Sequence, residues 1–145
     1  MKLYDHLPTE IEYEGKKYKI RPYFNRVLYC VDIFNDKEYG TPEKIEYCCE
    51  ALLYSTSRLD IYQKAEILNS IINLLFDEKN NSSNKKSFDF TQDSKYIYAG
   101  FMQCYGIDLF ECKNKLHWWK FVSLFQGLSK DTKMMEIIDI RTKPI

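Results

Sequence analysis

The chain has 145 residues, of which 45% are hydrophobic and 29% are charged, and its 21 basic and 21 acidic residues give a formal net charge of +0. This composition is typical of one globular domain, and the neutral balance provides no global field to attract nucleic acid or an anionic membrane. No segment approaches the roughly 20 consecutive apolar residues that a membrane span requires. We therefore expect a single soluble domain over residues 1–145, with no membrane and no nucleic acid among its partners.

The cysteines indicate a reducing compartment. Their number is odd and their spacing is neither that of a secreted disulfide framework nor that of a metal site. A nucleophilic pair of Cys104 with His117 is the alternative, but no oxyanion-hole motif accompanies it. We predict core cysteines, no metal, no cofactor and no catalytic residues; the cysteines are Cys30, Cys48, Cys49, Cys104 and Cys112.

The first element is a predicted β-hairpin over residues 10–20. Apolar residues alternate with charged ones around Glu14-Gly15, the period-2 pattern of strands with one buried face. A two-residue loop would pair Tyr13 with Lys16, whereas a four-residue loop would pair Tyr13 with Tyr18. The second register buries more apolar surface, so we expect the four-residue loop.

After Pro22 the apolar residues recur with the 3.6-residue period of amphipathic helices. This spacing predicts helices over about residues 23–35, 42–54 and 61–76. Thr41 is the expected N-cap of the second helix, and Asp60 with Gln63 is the expected capping box of the third. The predicted apolar faces are Phe24, Val27, Leu28, Val31 and Phe34 in the first helix and Ile61, Ala65, Leu68, Ile72 and Leu75 in the third.

Residues 77–86 contain no apolar residue and are predicted to be an exposed, mobile loop within one domain. Further helices are predicted over about residues 92–105, 116–128 and 130–141. Asp89 or Thr91 is expected to cap the first of these, and Gly106 to end it. Gly100 within it predicts close approach of a neighbouring helix. The predicted fold is therefore mainly α, with about six helices and an N-terminal β-hairpin.

Two charged groups have alternative interpretations. Four carboxylates around two loops could form an acid/base pair, but helix capping explains them more simply. A basic cluster could bind single-stranded nucleic acid, but a solvated loop is the simpler interpretation. The carboxylates are Asp89, Asp93, Asp108 and Glu111, and the basic cluster is Arg21, Arg26, Lys79, Lys85 and Lys86.

The helix predicted at 116–128 is apolar on nearly every side, which a small domain cannot fully bury. Trp118 and Trp119 point about 100° apart on a helix, so we expect one in the core and one in contact with a partner. Flexible methionines nearby suit an adaptable surface. The candidate partner-binding residues are Trp118, Trp119, Phe125, Met134 and Met135.

Several motifs resemble those of the phage gene-product-fifteen family, and the likeness covers nearly the whole chain. The central motifs are Phe88-Asp89-Phe90 with Gln92-Asp93, Tyr105-Gly106-Ile107-Asp108-Leu109, and Leu116-His117-Trp118-Trp119-Lys120-Phe121 ending in Gly127-Leu128. The N-terminal motifs are Leu7-Pro8, Ile11 to Tyr18, and Arg21-Pro22-Tyr23-Phe24-Asn25-Arg26.

The resemblance implies a tail assembly chaperone of long-tailed phages and prophages that acts in the host bacterial cytoplasm. Its expected partners are the tape-measure protein, which it would coat, and the tail tube protein, which it would recruit. Weak self-association is also possible for such a domain. The alternatives are a structural head-tail or tail-completion protein retained in the virion, and a small helical adaptor unrelated to tails.

Overall fold

The computed structural model describes residues 2–76 and 88–143, which form a mainly helical domain with an N-terminal antiparallel hairpin, as predicted. The predicted mobile loop, 77–86, lies outside these residues. The elements are the strands β1 (Glu10–Tyr13) and β2 (Lys16–Lys19), the helices α1 (Phe24–Asn35), α2 (Thr41–Leu52), α3 (Ile61–Leu75), α4 (Ser94–Tyr105), α5 (Trp118–Gln126) and α6 (Lys133–Thr142), and a short 3-10 helix, Leu109–Cys112, between α4 and α5.

The hairpin register differs from the predicted one. Tyr13 pairs with Lys16 across a two-residue turn, so the predicted four-residue loop is wrong. Glu14 and Gly15 have φ values of 49° and 78°, the left-handed pair that tight hairpin turns favour because it matches the strand twist. Ile20 is free to form a bridge with Leu53 after α2, where it is buried. The hairpin is thereby attached to the helices.

Helices α1 and α2 pack side by side in opposite directions. Arg26 at the start of α1 contacts Ala51 at the end of α2, whereas Lys44 near the start of α2 donates to the carbonyl of Phe34. The buried stripe of α1 is rotated from the predicted one, because Cys30 takes the position facing α2 and Phe34 remains 39% exposed. The buried residues of α1 are Phe24, Val27, Cys30 and Ile33.

The predicted N-cap of α2 is also wrong. Thr41 is already the first helical residue, and the cap position belongs to Gly40, which has no side chain to accept a hydrogen bond. Pro42 lies in the first turn, where its missing N–H costs no helical hydrogen bond. The helix ends at Leu52, because Leu53 turns into the extended bridge with Ile20.

Helix α3 has the capping box that the sequence predicts. The Asp60 carboxylate accepts from the Gln63 N–H at 2.9 Å, and the Gln63 side chain accepts from the Asp60 N–H at 3.0 Å. Its buried face is rotated by part of a turn, since Leu68 and Leu75 are buried as predicted but Ile61, Ala65 and Ile72 are only half-buried. The positions between them are filled by Ile67 and Ile71, both 0% exposed.

Helix α4 begins at Ser94, after a turn that the predicted caps form. Asp89 accepts from the N–H groups of Thr91 and Gln92, so neither Asp89 nor Thr91 caps the helix itself. Gly106, with φ 67°, ends the helix as predicted.

Gly100 has the close neighbour that the sequence predicts. A Cβ on Gly100 would lie 3.2 Å from Cδ1 of Leu128, which follows α5. The close approach is therefore made by a side chain beyond the end of the helix.

Helix α5 begins two residues later than predicted because the chain before it is extended. His117 forms an isolated bridge with Tyr23, and the N–H of Trp118 donates to the carbonyl of Pro22 at 2.7 Å. Helix α6 also begins later than the predicted residue 130, at Lys133. Thr132 is its N-cap and accepts from the Met135 N–H at 3.2 Å.

Candidate functional site

The five residues predicted to contact a partner do not form an exposed surface. Trp118, Phe125 and Met134 are 3%, 6% and 0% exposed, whereas Trp119 and Met135 are half-buried. One tryptophan, Trp118, is in the core as expected, and Trp119 is the less buried of the two. The apolar surface of α5 is mostly but not wholly covered, since Val122 and Leu124 are also only half-buried. Partner binding by these residues stays a prediction, and it requires either the two half-buried side chains or a rearrangement of the core.

The apolar side of α5 is covered by the segment Phe88-Asp89-Phe90. The Phe90 ring lies 5.8 Å from Trp118, 5.9 Å from Phe121 and 5.7 Å from Phe125, measured between ring centroids. The Phe88 ring lies 4.7 Å from Phe125. The apolar face of α5 is thus covered by a segment that is distant in sequence.

Phe121 on this same face of α5 also packs against α1 and α4 in the interior of the domain. The Phe121 ring stacks on Phe24 of α1 and on Phe101 of α4, each at 5.2 Å between centroids. Offset or tilted aromatic pairs of this kind stabilise a core beyond their area burial by about 0.5–1.5 kcal/mol each. We call Phe88, Phe90, Phe101, Trp118, Phe121, Phe125 and Phe24 the aromatic core.

His117 has a structural role at the start of α5. Its Nδ1 accepts from the Trp119 N–H at 3.0 Å, and its Nε2 lies 2.9 Å from the carbonyl oxygen of Pro8. These contacts assign the neutral imidazole with its proton on Nε2, and burial lowers the His117 pKa. The thiol of Cys104 instead accepts from the Ser129 N–H, so the Cys104–His117 pair is not formed.

The cysteines of the α1–α2 interface behave as core residues. Cys30 and Cys48 face each other, with each Sγ 3.8–3.9 Å from the other residue's carbonyl oxygen. The hydrogen bond to Cys48 and burial both raise the Cys30 pKa, and burial raises that of Cys49 to about 12. Thiols held protonated in this way are poor nucleophiles and poor metal ligands.

Three of the four acidic residues accept hydrogen bonds in turns, in a cap or in an ion pair, and the fourth, Glu111, is exposed. Asp108 accepts from the Phe110 N–H at the start of the 3-10 helix, as a cap. Asp93 is 1% exposed and accepts two hydrogen bonds from Arg141 at 2.7 and 3.1 Å, which hold its pKa below the usual range. Among the described residues, no group of three His, Cys, Asp or Glu side chains is placed to hold a metal ion.

The predicted basic cluster is not assembled by its two arginines. The Arg21 guanidinium lies 4.5 Å from the centroid of the Tyr54 ring, while Arg26 donates to Oδ1 of Asn114 at 2.7 Å and to the Ala51 carbonyl at 3.1 Å. Lys79, Lys85 and Lys86 lie outside the described residues. Nucleic-acid binding therefore gains no support from these arginines.

An open groove runs along the outer side of α1 and α2. It encloses about 410 Å³, and we call it the tyrosine groove. Tyr29 and Tyr47 stand on its two walls and are 45% and 38% exposed. Sequence analysis missed it, although an aromatic residue on the polar side of each predicted helix was a usable signal. Its lining is Asn25, Arg26, Tyr29, Tyr47, Glu50 and Ala51.

A second cavity, of about 300 Å³, lies between the hairpin and the start of α3. The Tyr13 hydroxyl on its wall donates to Oε2 of Glu66 at 2.9 Å, and burial together with this hydrogen bond raises the Tyr13 pKa to about 12. This tyrosine is thus used in attaching β1 to α3. The tyrosine groove is the better candidate for binding a partner.

The fold and its surfaces define the class as a small, mainly α-helical domain with a hairpin attached to it. The family model described as Bacteriophage Gp15 protein matches residues 3–145, and the chain belongs to that family. This confirms the family resemblance found in the sequence motifs. No curated protein and no solved structure matches the chain. In the described part of the chain, no helix is both long enough and apolar enough to cross a membrane.

Proposed function

We propose that this phage protein is a tail assembly chaperone that binds the tape-measure protein and helps recruit tail tube subunits during tail morphogenesis. The observation that carries the proposal is the family match over residues 3–145. Members of this family resemble tail assembly chaperones of long-tailed phages, which work in the cytoplasm of the host bacterium. Host cytoplasm is accordingly part of the proposal.

The tyrosine groove supports a protein-binding role. A tape-measure protein is a long helical chain, and an amphipathic helix is commonly bound in a groove between two helices. Tyrosine and arginine are enriched at the centres of protein interfaces, and this groove contains Tyr29, Tyr47 and Arg26. The half-buried Trp119 and Met135 remain secondary candidates for the same role.

The ionisable groups support a binding protein more than an enzyme. Catalytic groups have pKa values moved towards neutrality, as in a carboxyl with a raised pKa or a thiol with a lowered one. Asp93 and Cys49 are shifted the opposite way, since the pKa of Asp93 is lowered and that of Cys49 is raised. The hydrogen bond with Cys30 lowers the pKa of Cys48, but Cys48 is fully buried and out of reach of a substrate. We propose that the protein is not an enzyme and that self-association, if it occurs, is weak.

The test is affinity purification of the tagged chain from phage-producing cells, followed by mass spectrometry. The expected result is co-purification of the tape-measure and tail tube proteins, with the chain itself absent from purified virions. Its presence at stoichiometric levels in virions would identify a structural head-tail or tail-completion protein instead. Recovery of neither tail protein would favour an adaptor unrelated to tails.

A further inference from the structure

The walls of the tyrosine groove present two tyrosine rings that the described part of the chain covers only in part. Tyr29 projects from α1 and Tyr47 from α2, and the Tyr47 ring meets the ring of Tyr39 edge-on at 5.4 Å between centroids. Burial and then the neighbouring groups raise the Tyr29 pKa, so its hydroxyl stays neutral as a hydrogen-bond donor or acceptor. Rigid rings with a polar tip are common anchors in protein interfaces.

The charges around the groove are not symmetric. Glu43, Tyr47 and Glu50 follow one another at i, i+4 and i+7 on the outer face of α2, so the two carboxylates lie about 10 Å apart along the helix axis. Within residues 2–76 and 88–143, neither of these glutamates forms an ion pair, whereas the neighbouring Glu46 of α2 pairs with Lys64 at 2.8 Å.

The residues of α1 that line the groove include no carboxylate, and the nearest one on this face of α1, Asp32, lies outside the lining. The outer lining residues of α1, Asn25 and Tyr29, are neutral. The one cation in the lining, Arg26, is directed at Asn114 and at the Ala51 carbonyl, and Asn114 is itself fixed by a hydrogen bond from its N–H to Asn25. The groove lining therefore has the carboxylate of Glu50 on α2, neutral residues of α1 opposite it and aromatic side chains between them. Glu43 lies beyond the lining on the same face of α2.

We propose that the tyrosine groove binds an α-helical segment of a partner that places apolar side chains between Tyr29 and Tyr47 and Lys or Arg side chains, two turns apart, against Glu43 and Glu50. The groove lies between two antiparallel helices, a shape into which a third helix packs by inserting its ridges. The inference rests on the proposed function, under which this segment belongs to the tape-measure protein.

The experiment compares binding by the full chain and by groove variants. Full-length tape-measure protein from the same phage is co-expressed with each variant, and overlapping fluorescent peptides of its sequence then locate the bound segment. The double variant Tyr29→Ala/Tyr47→Ala should weaken binding of that peptide about tenfold or more. The double variant Glu43→Lys/Glu50→Lys should also weaken it, and a peptide whose two basic residues are replaced by glutamate should restore binding to this variant.

Matched controls separate groove effects from general effects. Tyr62→Ala removes a tyrosine that is 78% exposed on α3, and Glu111→Lys reverses an exposed charge on the 3-10 helix. Both should bind the peptide as the wild type does. Circular dichroism melting of every variant establishes that a loss of binding comes from a folded protein.

The outcomes distinguish this inference from the proposed function. If the tape-measure protein binds wild type and folded groove variants equally, the chaperone proposal stands and the groove inference is overturned. If the tape-measure protein binds neither the wild type nor the variants, both the chaperone proposal and the groove inference are overturned. If the groove substitutions abolish only self-association, measured by light scattering, the groove binds a second copy of the chain and the inference is again overturned. Loss of binding with charge-swap rescue supports it.

Discussion

The aromatic core around α5 and the tyrosine groove of α1 and α2 both contain aromatic side chains, but most of those in the core are buried and those of the groove are exposed. Trp118 and Phe121 of the core are 3% and 1% exposed, whereas Tyr29 and Tyr47 of the groove are 45% and 38% exposed. The core is closed by Phe88-Asp89-Phe90, and nothing in the described chain closes the groove. The density of apolar residues in the sequence therefore locates the core, and the proposed interaction surface lies where tyrosines project from the polar faces of α1 and α2.

The largest expected effect tests the closed side of this comparison. Trp118→Ala should lower the free energy of unfolding by about 3–5 kcal/mol, because it leaves a cavity against Phe90 and Phe121. Urea unfolding followed by circular dichroism measures the change. Tyr62→Ala, at an exposed position, should alter stability by less than about 0.5 kcal/mol. A fully stable Trp118→Ala would mean that α5 is not the centre of the core.

A second prediction concerns the ion pair that joins α6 to the start of α4. Arg141→Ala should cost about 1–3 kcal/mol, because it removes two hydrogen bonds from the buried carboxylate of Asp93. Arg141→Lys, which cannot form the paired contact, should give an intermediate loss.

The same pair predicts an acid dependence. The pKa of Asp93 is lowered in the folded protein, chiefly by the hydrogen bond to Arg141. Its contribution to stability is therefore complete above the unfolded value of about 3.9 and is lost as the pH falls through the lower, folded pKa. The free energy of unfolding of the wild type should fall between neutral and acid pH, and that of Arg141→Ala should fall less. Equal acid sensitivity in both would contradict the prediction.

His117 provides a smaller effect at milder pH. Burial lowers its pKa in the folded state, so the unfolded chain binds the proton more readily. Its contribution is complete above the unfolded pKa of about 6.5 and declines as the pH falls below that value. Protonation of Nδ1 removes the hydrogen bond from the Trp119 N–H, a net loss of about 1 kcal/mol. His117→Gln should flatten the stability profile below pH 6.5, whereas His6→Gln, at an exposed position, should retain it.

Local patterns predicted most of the fold, and contacts distant in sequence decided the rest. The Asp60–Gln63 capping box and the Gly106 helix end depend on neighbouring residues, and both are present. The start of α5 could not be predicted from its apolar run, because His117 is kept extended by a bridge to Tyr23.

The hairpin register shows a different kind of error. Counting buried apolar pairs favoured the four-residue loop, but the left-handed conformations of Glu14 and Gly15 favour a two-residue turn. The two-residue turn pairs Ile11 with Tyr18, so Ile20 does not pair with Ile11. Ile20 is buried all the same, because it forms a bridge with Leu53.

The candidate site was the least predictable feature. The apolar excess of α5 correctly indicated that it needs a covering surface, but the sequence does not state whether that surface is a partner or the chain itself. Phe88 and Phe90 provide it from across a long separation in sequence. The residues proposed for binding, Tyr29 and Tyr47, stand out in the sequence only as aromatics on polar helix faces, because their position on a shared groove depends on how α1 and α2 pack.

The last prediction tests the open side of the comparison. Tyr47→Ala removes a ring that is 38% exposed, together with its edge-on contact with Tyr39, which is worth about 0.5–1.5 kcal/mol beyond the buried apolar area, so the loss of stability should stay below the range expected for Trp118→Ala. Tyr47→Phe keeps the ring contact and should be nearly neutral for folding. Parallel urea titrations of both variants and of Trp118→Ala measure the contrast. A loss of about 3 kcal/mol or more in Tyr47→Ala would mean that this tyrosine is a core residue. The groove would then have no aromatic anchor on α2, because a side chain that stabilises the fold to that extent is not available to bind a partner.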